Sequence, residues 1–160
     1  MNTSNEVYFS SLLKTDYPKV YRAIVDVLDR HSIKHGLLES TRDYWCRDYM
    51  PVQSGFHDYI QFVYHPDYLK KERQYETDST TVFDNAQALT GIAPTSSHLI
   101  ADGGNFTFCR SREGKPVIVM TEKIFAENPS CSREEVISEL RVLFHQTDML
   151  CLPWDRLDKC

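Results

Sequence analysis

No Cys-x-x-Cys pair occurs among the five cysteines, Cys46, Cys109, Cys131, Cys151 and Cys160, so neither a zinc ribbon nor a thioredoxin-type redox pair is encoded. Glycine and proline are sparse, at 6 and 7 of 160 residues, and no low-complexity tract or repeat of solenoid length stands out. No apolar run approaches the ~20 residues that a membrane span needs. Met1–Asn5 lacks the basic-then-apolar pattern of a signal peptide. The expectation is a soluble cytoplasmic protein with reduced thiols, in which the sequons at Asn2 and Asn105 carry no meaning. A surplus of basic residues is missing too. Eighteen Lys and Arg against 23 Asp and Glu leave a net charge of −5, which argues against nucleic acid or an anionic membrane as partner.

What is present is globular. Hydrophobic residues make up 41% and charged residues 26% of 160 positions, which predicts a single domain over 1–160 that buries ~70% of its unfolded surface. A helix is predicted with Asp16 as its N-cap, Pro18 in its first turn and Val20, Ile24, Val27 and Leu28 at helical spacing up to about His31. Leu37-Leu38 reads as a short buried strand, Asp43–Pro51 as a loop, and His57–Tyr64 as an alternating strand. His65–Ser79 reads as a solvated excursion. Val82, Phe83, Ala86 and Leu89 predict a helix that stops at Gly91.

His98–Ala101 is a short strand running into the turn Asp102-Gly103-Gly104-Asn105. Phe106–Cys109 and Pro116–Met120 predict a hairpin, Ser132-Arg133-Glu134-Glu135 a capping box opening a helix, and Met149–Leu152 a last strand. The fold class is therefore α/β. A strand–strand–helix–strand order recurs about twice, and each copy is associated with a loop that carries a carboxylate, Asp48 in one and Asp102 in the other.

Those two loops are the candidate site. Trp45-Cys46-Arg47-Asp48-Tyr49 puts an aromatic, a guanidinium and a carboxylate together. One reading is a cation site, with Asp48 pairing a bound cation and Trp45 over its stem. The other is an internal Arg47–Asp48 pair with Trp45 filling the core. Asp102 at a strand end, before two glycines, suits either a pocket or a plain turn. Cys46, beside Arg47, is the one thiol whose pKa a neighbour could lower. His31 and His35, spaced i, i+4, read as cations at a helix C-terminus rather than as metal ligands.

The first loop, Trp45-Cys46-Arg47-Asp48-Tyr49-Met50-Pro51, resembles the W-x-R-D-x-x-P motif of the agmatine deiminase and bacterial-type peptidylarginine deiminase family. The second, Leu99-Ile100-Ala101-Asp102-Gly103-Gly104-Asn105, is similar to that family's apolar strand followed by an acid and Gly-Gly. The resemblance implies a pentein fold, an α/β propeller of five ββαβ blades, of which this chain would form two to two and a half as the N-terminal part. It implies a hydrolase that attacks a guanidino carbon with a cysteine thiolate and releases ammonia, with no metal or organic cofactor.

Carried onto this chain, Asp48 would bind the guanidinium of a small-molecule or peptide substrate, Asp102 would contact substrate or order the pocket, and Trp45 would line the pocket near the substrate stem. Arg47, Gly103, Gly104 and Asn105 would be structural. The family's Gly-His-x-Asp and Gly-Gly-Gly-Asn-x-His-Cys segments are not in the chain, so no catalytic residue is assigned here. Cys109 follows Asn105 by four residues instead of three, which turns its side chain to the opposite strand face. Asp48 and Asp102 are 54 residues apart, and one more step of that length reaches the chain's last residues; the histidine loop would then follow it. Open blade edges imply self-association as a homo-oligomer.

Overall fold

The computed structural model describes residues 6–154; the sequon at Asn2, the charged end after Trp154 and Cys160 lie outside them. Two successive units share one architecture. In the first, β3 (Val52–Gly55) and β4 (Asp58–Val63) form an antiparallel hairpin, α4 (Ser79–Thr90) crosses over, and β5 (Thr95–Ile100) returns parallel to β4. In the second, β6 (Thr107–Arg110), β7 (Pro116–Thr121), α6 (Arg133–Leu143) and β8 (Asp148–Leu152) repeat that order, with α5 (Lys123–Glu127) inserted after β7. The sheets run β3-β4-β5 and β6-β7-β8.

Ahead of them, β1 (Glu6–Ser10) and β2 (Lys34–Leu38) pair in parallel, joined by α1 (Ser11–Asp16) and α2 (Pro18–Arg30). The expected α/β class and the recurrent strand–strand–helix–strand order are both present. One strand is assigned differently from the sequence expectation. The leading strand of the first full unit is β3, and the Leu37-Leu38 strand instead pairs with β1. Val52-Gln53-Ser54-Gly55 has one apolar residue, so alternation gave it no signal.

Local chemistry explains where the helices begin and end. Ser132 Oγ accepts from the Glu135 amide while the Glu135 carboxylate accepts from the Ser132 amide, the reciprocal box that opens α6. Asp78 caps α4 through the amides of Thr80 and Thr81, and Gly91 closes it at φ 71, a left-handed conformation that glycine adopts without strain. Pro18 stands in the first turn of α2; Asp16, expected as its cap, instead ends α1 and accepts from the Tyr44 hydroxyl.

One core serves both full units. Val52, Ile60, Phe62 and Leu99 pack with Phe106, Ile118, Met120, Ile124, Val136, Leu140 and Phe144. Phe62 and Phe106 stack with centroids 5.1 Å apart. Burying a side chain of that kind contributes about 2–3 kcal/mol, so Phe106, next after the Gly-Gly turn, fixes that turn to the core. A second cluster, Leu38, Tyr49, Tyr64, Leu69 and Val82, joins β2 to the first full unit. Leu69 belongs to it, so 65–79, expected to be a solvated excursion, is anchored by two short 3-10 turns.

Candidate functional site

The loop before β3 and the loop before β6 meet. In the first, Cys46–Tyr49 forms one helical turn, α3. Tyr49 is buried beneath it and donates its hydroxyl to the Asp43 carbonyl at 3.0 Å and to Cys46 Sγ at 3.1 Å. In the second, Asp102 leads into a 3-10 turn over Gly103–Asn105, and Asn105 Oδ1 accepts from the Thr121 amide and hydroxyl at 2.9 and 2.7 Å. A Cβ on Gly103 would lie 2.2 Å from the Arg47 carbonyl oxygen, and one on Gly104 would lie 2.4 Å from Asp48 Oδ1. Close approach, not positive φ, is what demands two glycines here. Arg47 Nη2 donates across the junction to the Phe106 carbonyl at 3.0 Å.

Around this junction lie three carboxylates and one ammonium. Lys123, from α5, is hydrogen-bonded to Asp102 Oδ2, lies 3.3 Å from Glu127 Oε1, and sits over the Tyr68 ring at 4.9 Å. Glu127 also accepts from the Asp67 amide at 3.3 Å. Asp102 is 6% exposed, and its Oδ1 has no hydrogen-bond partner among the described residues. Tyr68 reaches Asp48 Oδ2 at 3.5 Å, and its hydroxyl is 3.1 Å from that of Tyr64.

Burial raises all three acids. It pushes Asp48 up, helped by the nearby Asp102 charge, and pushes Asp102 up against the pull of Lys123. Glu127 is raised to about 7, by burial first and Asp102 second. Lys123 is raised despite its burial, because two carboxylates hold its proton. With every group ionised the cluster has one cation for three anions. Gly104 and Tyr68 are exposed, so the Asp48 side opens to solvent. That is a place for a further cation, and its carboxylate-and-aromatic lining suits a planar one.

Several expectations are sharpened or corrected by this geometry. Among the described residues Arg47 makes no ion pair with Asp48; its partner is the Phe106 carbonyl. Trp45 is 69% exposed, so it does not fill the core. The Cys46 thiol is raised, not lowered, because burial outweighs the Tyr49 hydrogen bond, and its Sγ is already engaged. Cys109 is exposed on β6, near the Val117 carbonyl. Among the described residues no cysteine is hydrogen-bonded to a histidine. His35, His65, His98 and His145 instead meet Asp29, Glu76, Glu139 and Asp58. No group of three metal-ligating side chains forms among the described residues.

Lys123, Glu127 and Tyr68 escaped the sequence reading. Lys123 and Glu127 are spaced i, i+4 after the β7 strand, which is a helix-face signal, but nothing local links them to Asp102.

Comparison with known proteins bears on the family and the fold. The sequence profile of the Porphyromonas-type peptidyl-arginine deiminase family matches residues 16–158. Among curated proteins none matches significantly by sequence. Among solved structures, C. jejuni agmatine deiminase superposes with a TM-score of 0.66 at 15% identity, over 93% of this chain and 53% of that one. Enterococcus faecalis agmatine deiminase superposes at 0.51 and 16% identity, over 75% of this chain and 34% of that one. The chain therefore has the mixed α/β fold of those enzymes, the pentein fold, and spans about half of their length or less.

Proposed function

The chain belongs to the Porphyromonas-type peptidyl-arginine deiminase family, and from that premise we propose that it is part of a guanidino-group hydrolase and forms the acidic wall of its substrate site. In this reading residues 1–160 are the N-terminal part of a pentein domain, two to two and a half blades of a five-blade ring. Asp48 binds the guanidinium, Asp102 contacts the substrate or, through Lys123, orders the pocket, Trp45 covers the substrate stem, and Arg47, Gly103, Gly104 and Asn105 hold the two loops together. The observation that carries it is the junction itself: two carboxylates, from matching positions in successive units, in a cluster where three carboxylates share one ammonium.

A guanidinium is resonance-stabilised and planar, so an enzyme must hold it with paired hydrogen bonds before a nucleophile can reach its carbon. Asp48 supplies such an acceptor at the open side of the cluster, and the Tyr68 ring gives the cation a π face nearby. The thiolate and histidine of the reaction come, in this proposal, from sequence that follows this chain in a longer protein. The test is to incubate the 160-residue chain with agmatine and with a peptidyl-arginine substrate and measure ammonia. No release above the buffer blank is expected. Ammonia that disappears in Cys46→Ala or Cys109→Ala would overturn the assignment and make that cysteine the nucleophile.

The second reading is a catalytically inactive half-pentein that binds guanidinium ligands or a protein partner. The absence of a Cys–His contact among the described residues favours it for this chain in isolation. It shares the binding chemistry and differs only in turnover once the remaining sequence is joined.

A further inference from the structure

The two acid loops are each met by the following unit in the same way. β1 and β2, β4 and β5, and β7 and β8 are three parallel pairs, each joined through helix. Asp48 follows β2, the second strand of its pair, and Asp102 follows β5, the second strand of the next. Asp48 is reached by Tyr68, from the segment between β4 and α4. Asp102 is reached by Lys123, from α5, between β7 and α6. Each acid thus faces the next unit's connection from central strand to crossover helix, and both contacts lie wholly between units of this chain. Tyr68 holds toward Asp48 the place that Lys123 holds toward Asp102.

We propose that Tyr68 sets the cation selectivity of the Asp48 site, reserving the carboxylate for a planar guanidinium and disfavouring an alkylammonium. This rests on the reading of Asp48 as a guanidinium-binding acid and adds the residue that makes the choice. At Asp102 the fold supplies its own cation, a largely buried lysine. At Asp48 it supplies a phenol, which brings no charge to satisfy the acid. The 3.5 Å hydroxyl contact to Asp48 is at the limit of a hydrogen bond, and the same hydroxyl lies 3.1 Å from that of Tyr64. The Tyr68 ring also engages the internal ammonium, 4.9 Å from its centroid. Among the described residues Lys123 has salt-bridge partners only in Asp102 and Glu127.

Tyr68 is 49% exposed, so aromatic surface stays open beside the carboxylate. A guanidinium uses both at once. It is planar, delocalised and weakly hydrated, so its edge forks onto the carboxylate while its face lies on the ring. An alkylammonium is a compact, strongly hydrated point charge that gains less from the ring. It would also bring a second concentrated charge to a ring that already carries the Lys123 ammonium. The position of the ring is set from below. Leu69, the next residue, is buried and anchors the 3-10 turn Asp67–Leu69 in the cluster that holds Tyr49 and Tyr64. Tyr49 follows Asp48 directly, so acid and ring are held by one core.

Calorimetric titration of the 160-residue chain with methylguanidinium and with methylammonium reads the choice directly. The wild type should bind methylguanidinium about fivefold or more tightly than methylammonium. Tyr68→Phe, which keeps the ring, should retain that preference. Tyr68→Leu, which keeps much of the bulk without a π face, should bring the two affinities within about twofold of each other. Tyr68→Lys should make the first acid resemble the second, since three carboxylates can hold two ammoniums. Its methylguanidinium binding should fall about tenfold or more while its melting temperature rises, and adding Asp48→Asn should remove that rise. A wild type that binds methylguanidinium with a preference unchanged in Tyr68→Leu would overturn the role of Tyr68 and leave Asp48 as the binding acid. So would a wild type that binds both cations equally, or a Tyr68→Lys variant that binds methylguanidinium as the wild type does. A wild type that binds neither cation would overturn the guanidinium reading of Asp48 and the selectivity with it.

Discussion

The loops before β3 and before β6 occupy equivalent places in two successive units, yet they hold their carboxylates in opposite ways. Asp102 is buried and bonded to an internal ammonium, Lys123. Asp48 is half-buried, has no cationic partner at salt-bridge distance among the described residues, and is touched only at long range by the Tyr68 hydroxyl. The same backbone frame has therefore produced one carboxylate paired within the fold and one without a cationic partner among the described residues. Burial raises both acids, and Lys123 opposes that rise at both, by a direct hydrogen bond at Asp102 but only through space at Asp48. Such an uncompensated group is where ligand binding is to be sought.

The largest effect should come from removing the internal cation. Lys123→Met leaves Asp102 and Glu127 buried without their shared ammonium, and should destabilise the protein by about 3–5 kcal/mol at pH 8. The loss should shrink at lower pH as the acids take up protons. Urea unfolding at two pH values measures both. An equal loss at pH 5 and pH 8 would mean that Lys123 acts by packing alone.

Next comes the contact between the loops. Gly103→Ala drives a Cβ into the Arg47 carbonyl, a backbone atom that cannot swing aside, and should cost about 1–3 kcal/mol. Gly104→Ala meets the Asp48 side chain instead, so it should cost less stability while displacing the carboxylate from the open side. Equal thermal shifts for the two variants would remove the distinction between a backbone and a side-chain contact.

Glu127 gives a pH signature. Its folded carboxyl holds a proton up to about 7 and the unfolded one releases it near the ordinary 4.5, so the folded state carries more protons between those values. Stability should therefore fall as pH rises through that window. Glu127→Gln should flatten the slope there, as read from the difference between the two unfolding curves. A smaller effect is expected from Arg47→Met, which removes one hydrogen bond to the Phe106 carbonyl and should cost about 1 kcal/mol.

Much of this frame is legible in the chain itself because its signals are local. The α6 capping box, the Gly91 stop, the 107–121 hairpin and both carboxylate loops announce themselves within a few residues. The missing parts depend on contacts made elsewhere. β3 has a strand's partner but not a strand's pattern, and Tyr68 lies in a polar stretch whose order comes from Leu69 in the core. Lys123 meets Asp102 across 21 residues, a pairing that no periodicity encodes. Trp45 shows the reverse: its motif is plain, while its exposure reveals that the packing explanation fails.

Asp48 as the ligand-binding anion is tested most directly by calorimetric titration of the 160-residue chain with methylguanidinium, in wild type and Asp48→Asn, alongside their melting temperatures. Saturable binding by the wild type is expected, weakened about tenfold or more in Asp48→Asn, a loss of ~1.4 kcal/mol or greater. The variant should melt at the wild-type temperature or above, because it sheds a charge that burial disfavours. Equal binding by both proteins, or a variant that melts well below wild type, would contradict it and make Asp48 a structural residue of its loop.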